Sequence, residues 1–208
     1  MKTYIDMDTY PRRSHFDYFR NMAYPYVGLT ANVDVTNLLA RANQLGASGF
    51  LTILWAASRA ANAIPQLRQR IEGEVIVEYD HSDVGYTVAL PDHTFCNCHV
   101  DCRGNLEDFL PYARAKQEEA SRHHGFLNDG EDESGMMFVS CVPWVAFTQC
   151  VQPVPCPGDS NPRIVFGKYI REGGRTLMPL HIQCNHALVD GYHLGEFYRI
   201  FDETAASV

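Results

Sequence analysis

The run Leu180-His181-Ile182-Gln183-Cys184-Asn185-His186-Ala187-Leu188-Val189-Asp190-Gly191 constrains this chain more than any other. It reads as a buried strand that ends on a histidine, followed by an Asp-Gly pair that opens an amphipathic helix. His186 stands four residues before Asp190, and Gly191 follows at once, giving H-x-x-x-D-G. A neutral imidazole has an ordinary pKa of about 6.5, so it can take and return a proton near neutrality. At a strand end beside a tight turn it is both held and open to a substrate. The same spacing also suits a core histidine followed by an aspartate N-cap, so the motif alone does not decide.

The surrounding pattern is that of an α/β protein. Val27, Leu29, Ala31, Val33 and Val35 alternate and predict a strand with one buried face. Asn37 to Leu45 predicts a short helix ending at Gly46, and Gly49 to Ile64 a longer one stopped by Pro65. Strands are expected over Leu67 to Ile71 and Glu74 to Tyr79, turning at Glu72-Gly73, then over Val84 to Leu90 and Thr94 to Cys102. Leu106 to His123 has helical periodicity, and Asn128 to Ser134 reads as an acidic loop. Met136 to Ser140, Val145 to Cys150, Arg163 to Arg171 and Thr176 to Asn185 complete the strands. A last helix buries Leu194, Phe197, Tyr198 and Phe201. Hairpins at Gly73 and at Gly173-Gly174 impose antiparallel neighbours, so the expectation is a two-layer α/β sandwich. Its sheet is mixed and largely antiparallel, with helices packed on one side.

At 208 residues the chain fits one domain over 1–208. A net charge of −8 argues against a nucleic-acid partner. The longest apolar run, Gly49 to Ile64, contains Thr52, Ser58, Arg59 and Asn62 and is too short and polar to cross a membrane. Met1 to Phe19 lacks the order of a signal peptide, so a cytoplasmic location is expected. Seven cysteines, an odd number, then read as free thiols. Cys96, Cys98 and Cys102 share one strand face while His99 takes the other. They are expected to be small buried hydrophobes rather than metal ligands, and no metal is expected.

Longer segments carry a resemblance. Phe166-Gly167-Lys168-Tyr169, Leu177-Met178-Pro179-Leu180 and HALVDGYHLGEFY resemble the C-terminal third of the type A chloramphenicol acetyltransferases. RRSHFDYF from Arg12, GLTANVDVT from Gly28, QLRQRI from Gln66 and SCVPWVAFT from Ser140 resemble successive segments of the same family, so the similarity spans nearly the whole chain.

The resemblance implies acetyl transfer from acetyl-CoA, a co-substrate rather than a bound cofactor, to a small hydroxyl-bearing acceptor such as chloramphenicol. It also implies a homotrimer with active sites between subunits. His186 would be the general base and Ser140 the oxyanion donor, although a plain strand serine before Pro143-Trp144 is the alternative. Asp190 and Arg12 would form a salt bridge that supports the active-site turn, with Asp190 also able to cap the last helix and Gly191 allowing the turn. Coenzyme A contacts are implied at Trp144, Lys168, Tyr169 and Phe50, where core packing or solvation are the alternatives.

Acceptor contacts are implied at Tyr18, Phe19, Phe95 and Phe126. The acceptor region departs from the family pattern at Pro25, Val27, Phe138, Cys150, Gln152 and Val165. Two other readings stay open: a dihydrolipoyl acyltransferase core, which shares H-x-x-x-D-G, and a trimeric binding protein of this fold without turnover.

Overall fold

The computed structural model describes residues 1–122, 132–155 and 158–208. The first half contains β1 (Lys2–Tyr4), α1 (Arg13–Phe19), β2 (Tyr26–Asp34), α2 (Thr36–Gln44) and α3 (Gly49–Asn62). A short 3-10 turn (Pro65–Leu67) then leads to β3 (Gln69–Glu72), β4 (Val75–Tyr79), β5 (Val84–Ala89) and β6 (Phe95–Val100). The second half contains α4 (Leu106–Ala120), β7 (Met137–Cys141), β8 (Arg163–Phe166), β9 (Ile170–Glu172), β10 (Arg175–Asn185) and α5 (Gly191–Ala206).

The main sheet has seven strands in the order β2-β10-β8-β7-β5-β6, with β9 pairing β10 beyond the end of β8. β7 runs parallel to both β5 and β8, and the other pairs are antiparallel. β1, β4 and β3 form a separate three-stranded sheet, which the strand pattern alone did not distinguish.

Alternation along each strand sorts the two faces of the main sheet. Tyr86, Cys98, Val139, Ile164, Leu180 and Ile182 join one continuous core with the apolar sides of α2, α3, α4 and α5. Their strand neighbours Asn97, His99, Phe138, Ser140, Arg163, His181 and Gln183 stay out of that core. Helices therefore cover one face, and the other face is polar and aromatic. Cys96, Cys98 and Cys102 lie on the covered side, at most 2% exposed, where their alternation put them.

Three expectations need correction. The strand expected over Val145 to Cys150 is absent, because Pro143 has no N–H to continue the ladder. The last bond there is from the Val142 N–H to the Phe166 carbonyl at 2.8 Å. The strand expected over Arg163 to Arg171 is split into β8 and β9. Its partner Pro179 accepts a bond from the Gly167 N–H at 2.8 Å but has no donor to return. Gly167, Lys168 and Tyr169 consequently leave the sheet. Finally, the alternating run buries Val33 in β2 and Val35 just past it but leaves Leu29 45% exposed. β2 is the sheet's edge, and the helical layer covers it fully only from Val33 onward. Part of the acidic loop expected at 128–134, and the end of the helix expected to His123, lie outside the described residues. No helix among the described residues is long and apolar enough to cross a membrane.

Candidate active site

β10 ends at Asn185, and the His186 N–H then donates to the Pro25 carbonyl at 2.8 Å, tying the turn to the start of β2. His186 Nδ1 lies 2.9 Å from the Val189 carbonyl oxygen. A carbonyl can only accept, so Nδ1 carries the proton and Nε2 is left with its lone pair. The ring stacks on Phe19, with centroids 3.8 Å apart and planes inclined by 13°. Tyr18 meets the edge of Phe19 at 5.0 Å. Two of the expected acceptor residues are therefore joined to the expected base within one chain.

Asp190 takes no part in that imidazole's bonding. Its Oδ2 accepts from Arg12 Nη1 at 2.5 Å, and its Oδ1 accepts from the Tyr192 N–H at 3.0 Å as the N-cap of α5. The Asp190 N–H donates to His193 Nδ1 at 3.2 Å, which closes a capping box, and the same Nδ1 lies 2.9 Å from Oδ1. Burial pushes the Asp190 carboxyl up. The Arg12 hydrogen bond and charge outweigh it and hold the carboxyl below the ordinary carboxylate range. Gly191 is not required for a left-handed turn: its φ is not positive, and a Cβ there would meet nothing within 4 Å. The role expected of that glycine is corrected accordingly.

Ser140 sits near the C-terminal end of β7 on the face without helices, its hydroxyl 3.2 Å from Thr87 Oγ1 on β5. The expected coenzyme A residues gather beyond it. The Lys168 N–H donates to the Val145 carbonyl at 3.0 Å, joining the loop after β7 to the loop after β8. Tyr169 reaches Gly49, so that a Cβ on Gly49 would lie 3.8 Å from its hydroxyl. Phe50 is next in sequence, half-buried against Tyr86 and Phe166 at 5.4 and 5.9 Å between centroids. Trp144 is 75% exposed on the same loop system. Phe95 opens β6 at this end of the sheet, opposite Ala89 and 40% exposed. Phe126 lies outside the described residues.

Strand register separates these two groups. Ser140 stands opposite Val165, and Val165 opposite His181. Asn185 lies four strand rises past His181, about 13 Å, and two strand spacings add about 10 Å sideways. His186 is farther still, so it and Ser140 cannot meet in one chain. The acceptor reading also needs revision at Val27, which pairs with Cys184 on the core side of β2 and packs against the core. Cys150 and Gln152 do approach the polar face: the Gln152 N–H donates to Gln183 Oε1 at 3.3 Å. Thr87, Val189 and His193 were not foreseen as partners. The alternation of β5 and the three-residue spacing of Asp190 and His193 carry the signals for Thr87 and His193.

The chloramphenicol acetyltransferase (CAT) family model matches residues 1–202. Chloramphenicol acetyltransferase 2 of Escherichia coli is 27% identical over 198 residues, covering 94% of this chain and 92% of that protein. A chloramphenicol acetyltransferase of Streptomyces acrimycini is 30% identical over 193 residues, covering 91% and 87%. A solved chloramphenicol acetyltransferase superposes with a TM-score of 0.87 at 27% identity over 98% of this chain and 99% of that one. A probable dihydrolipoamide acetyltransferase of Listeria monocytogenes shares the fold, with a TM-score of 0.72 at 16% identity over 95% and 92%. With its strand-end histidine, Arg12–Asp190 pair and helix-covered mixed sheet, this chain belongs to the chloramphenicol acetyltransferase family and is an acyltransferase.

Proposed function

We propose that the chain, one domain over 1–208, is an acetyl-CoA-dependent O-acetyltransferase for chloramphenicol or a related small hydroxyl compound. His186 Nε2 takes the acceptor's hydroxyl proton as that oxygen attacks the thioester carbonyl. The Ser140 hydroxyl donates to the oxyanion of the tetrahedral intermediate. Collapse breaks the carbon–sulfur bond, and the departing thiolate takes the proton back from His186. The observation that carries this reading is the Nδ1 bond to the Val189 carbonyl, which leaves Nε2 as a ready base.

The reading also requires more than one copy. A base and an oxyanion donor that cannot meet in one chain can act together only across a subunit boundary. Family membership favours a closed homotrimer, in which His186 of one copy faces Ser140 and the coenzyme A loops of the next. The outer edge of β2, which pairs no other strand among the described residues and leaves Leu29 exposed, provides surface for that contact. Free cysteines suit a reducing, cytoplasmic setting.

The test is to incubate the protein with acetyl-CoA and chloramphenicol while following release of free thiol, with sedimentation or light scattering on the same sample. Acceptor-dependent thiol release by a trimer is the expected result. Release with dihydrolipoamide in place of chloramphenicol would transfer the chemistry to a different acceptor. No release with any hydroxyl or thiol acceptor would end the reading.

A further inference from the structure

We propose that His81, Asp83 and Asp101 form a divalent-cation site that clamps the link between the two sheets to the end of β6. His81 and Asp83 stand in the connector from β4 to β5, and Asp101 follows β6 directly. Val84 pairs with Val100, which sets Asp83 beside Asp101. His81 Nε2 lies 3.6 Å from Asp83 Oδ1 and 3.6 Å from Asp101 Oδ1, too long for hydrogen bonds. All three donor atoms fall within 4.8 Å of one another.

The unpartnered atoms of the cluster point to a ligand. His81 Nε2 and Asp83 Oδ1 are both shielded from solvent and have no hydrogen-bond partner, a costly arrangement for an imidazole nitrogen and a carboxylate oxygen. The backbone that presents them is also fixed. Ser82, between the two ligands, is fully buried, donates its N–H to Asn62 Oδ1 at 2.7 Å and accepts from Arg70 at 2.9 Å. The Asp83 carbonyl accepts from the Met137 N–H at 2.9 Å.

The donor set of one imidazole nitrogen and two carboxylate oxygens suits zinc or a similar first-row ion. Bonds of about 2.0–2.2 Å place tetrahedral ligand atoms about 3.4 Å apart. Asp83 and Asp101 are each over a third exposed, which leaves an entry path and room for water as a further ligand. Among the described residues, Arg103 competes for Asp101. Its N–H and Nε donate to Asp101 Oδ1 at 2.8 and 3.0 Å, and its Nε and Nη2 approach Oδ2 at 2.9 Å.

The experiment is a calorimetric titration of the EDTA-treated full chain with zinc chloride, with melting temperature and the cobalt(II) absorption spectrum as parallel readouts. One saturable site of micromolar affinity, a rise in Tm and a cobalt spectrum without a thiolate charge-transfer band are expected. Asp83→Asn, close in shape, should weaken binding about 30-fold or more, and His81→Gln should do the same should Asp83→Asn fail to fold. Arg103→Ala should tighten binding about fivefold by removing the competing cation, an effect opposite to that of losing a merely structural residue. The proposal is overturned by any of four results: no saturation below about 1 mM zinc, affinity unchanged in both ligand variants, a thiolate band, or weaker binding in Arg103→Ala.

Discussion

The two ends of the main sheet are built differently. At the end where β10 stops, His186 is fixed by its own chain three times over: backbone to Pro25, Nδ1 to Val189 and ring to Phe19. The Asp190 turn beside it is locked by Arg12, a helix cap and His193. At the opposite end, the Ser140 hydroxyl bonds to Thr87, and the loops after β7 and β8 expose Trp144, Val145 and Tyr169. The His186 end is held rigid within one chain, and the Ser140 end is an open shelf. This is the arrangement expected when a rigid base from one copy meets a substrate cradle on another.

The largest effect should come from removing the rigid half. His186→Ala should cut turnover by about 10²- to 10⁴-fold, which is about 3–5 kcal/mol of barrier, while circular dichroism and assembly stay unchanged. A folded His186→Ala protein that keeps near-normal thiol release would show that the preorganised histidine is not the base.

Ser140→Ala should cost less, about 10²-fold in turnover, since a single oxyanion donor is lost and the shelf stays intact. The two variants together sharpen the contrast. Each is defective alone, yet subunit exchange between His186→Ala and Ser140→Ala proteins would create some boundaries carrying both wild-type groups. Recovered thiol release after exchange is expected. If the mixture stays as inactive as its parents after exchange is verified by mass-tagged subunits, the two ends do not cooperate across a boundary.

The same contrast explains what was legible from sequence. Around His186 the determinants of the strand end and the helix cap are local, a strand run, a histidine and an Asp within a few residues, so both could be read directly, although Pro25 and Phe19, which hold the histidine, come from distant segments. Around Ser140 they are not. The loss of a strand after Cys141 depends on Pro143, and the loop that presents Lys168 and Tyr169 depends on Pro179, a strand away. Alternation placed Cys96 and Cys98 on the covered face correctly. The same alternation misled at Val27 and Leu29, because edge position and helix coverage are set by the whole sheet and not by the strand. The cluster of His81, Asp83 and Asp101 was invisible for a similar reason, since Asp101 joins the other two only through the pairing of β5 with β6.

The smallest effect should come from the bond that stiffens the His186 end without touching its imidazole. Arg12→Val and Asp190→Asn should each lower stability and turnover, with a coupling of about 1–3 kcal/mol in a double-mutant cycle. The pH dependence follows from the Asp190 carboxyl. Its folded pKa lies below the ordinary value, so the stabilisation it gives is complete above the unfolded pKa of about 3.9. That stabilisation is lost as pH falls through the lower folded value. The stability gap between wild type and Asp190→Asn, measured by urea unfolding, should therefore be constant from pH 7 to pH 5 and shrink only below about pH 4. A gap that already widens as pH falls from 7 to 5 would assign part of the stiffness of this turn to the pairing of Asp190 with His193, because Asp190 favours the charged form of that imidazole. Additive losses in the cycle would remove the Arg12–Asp190 bond from the account of why this end is rigid.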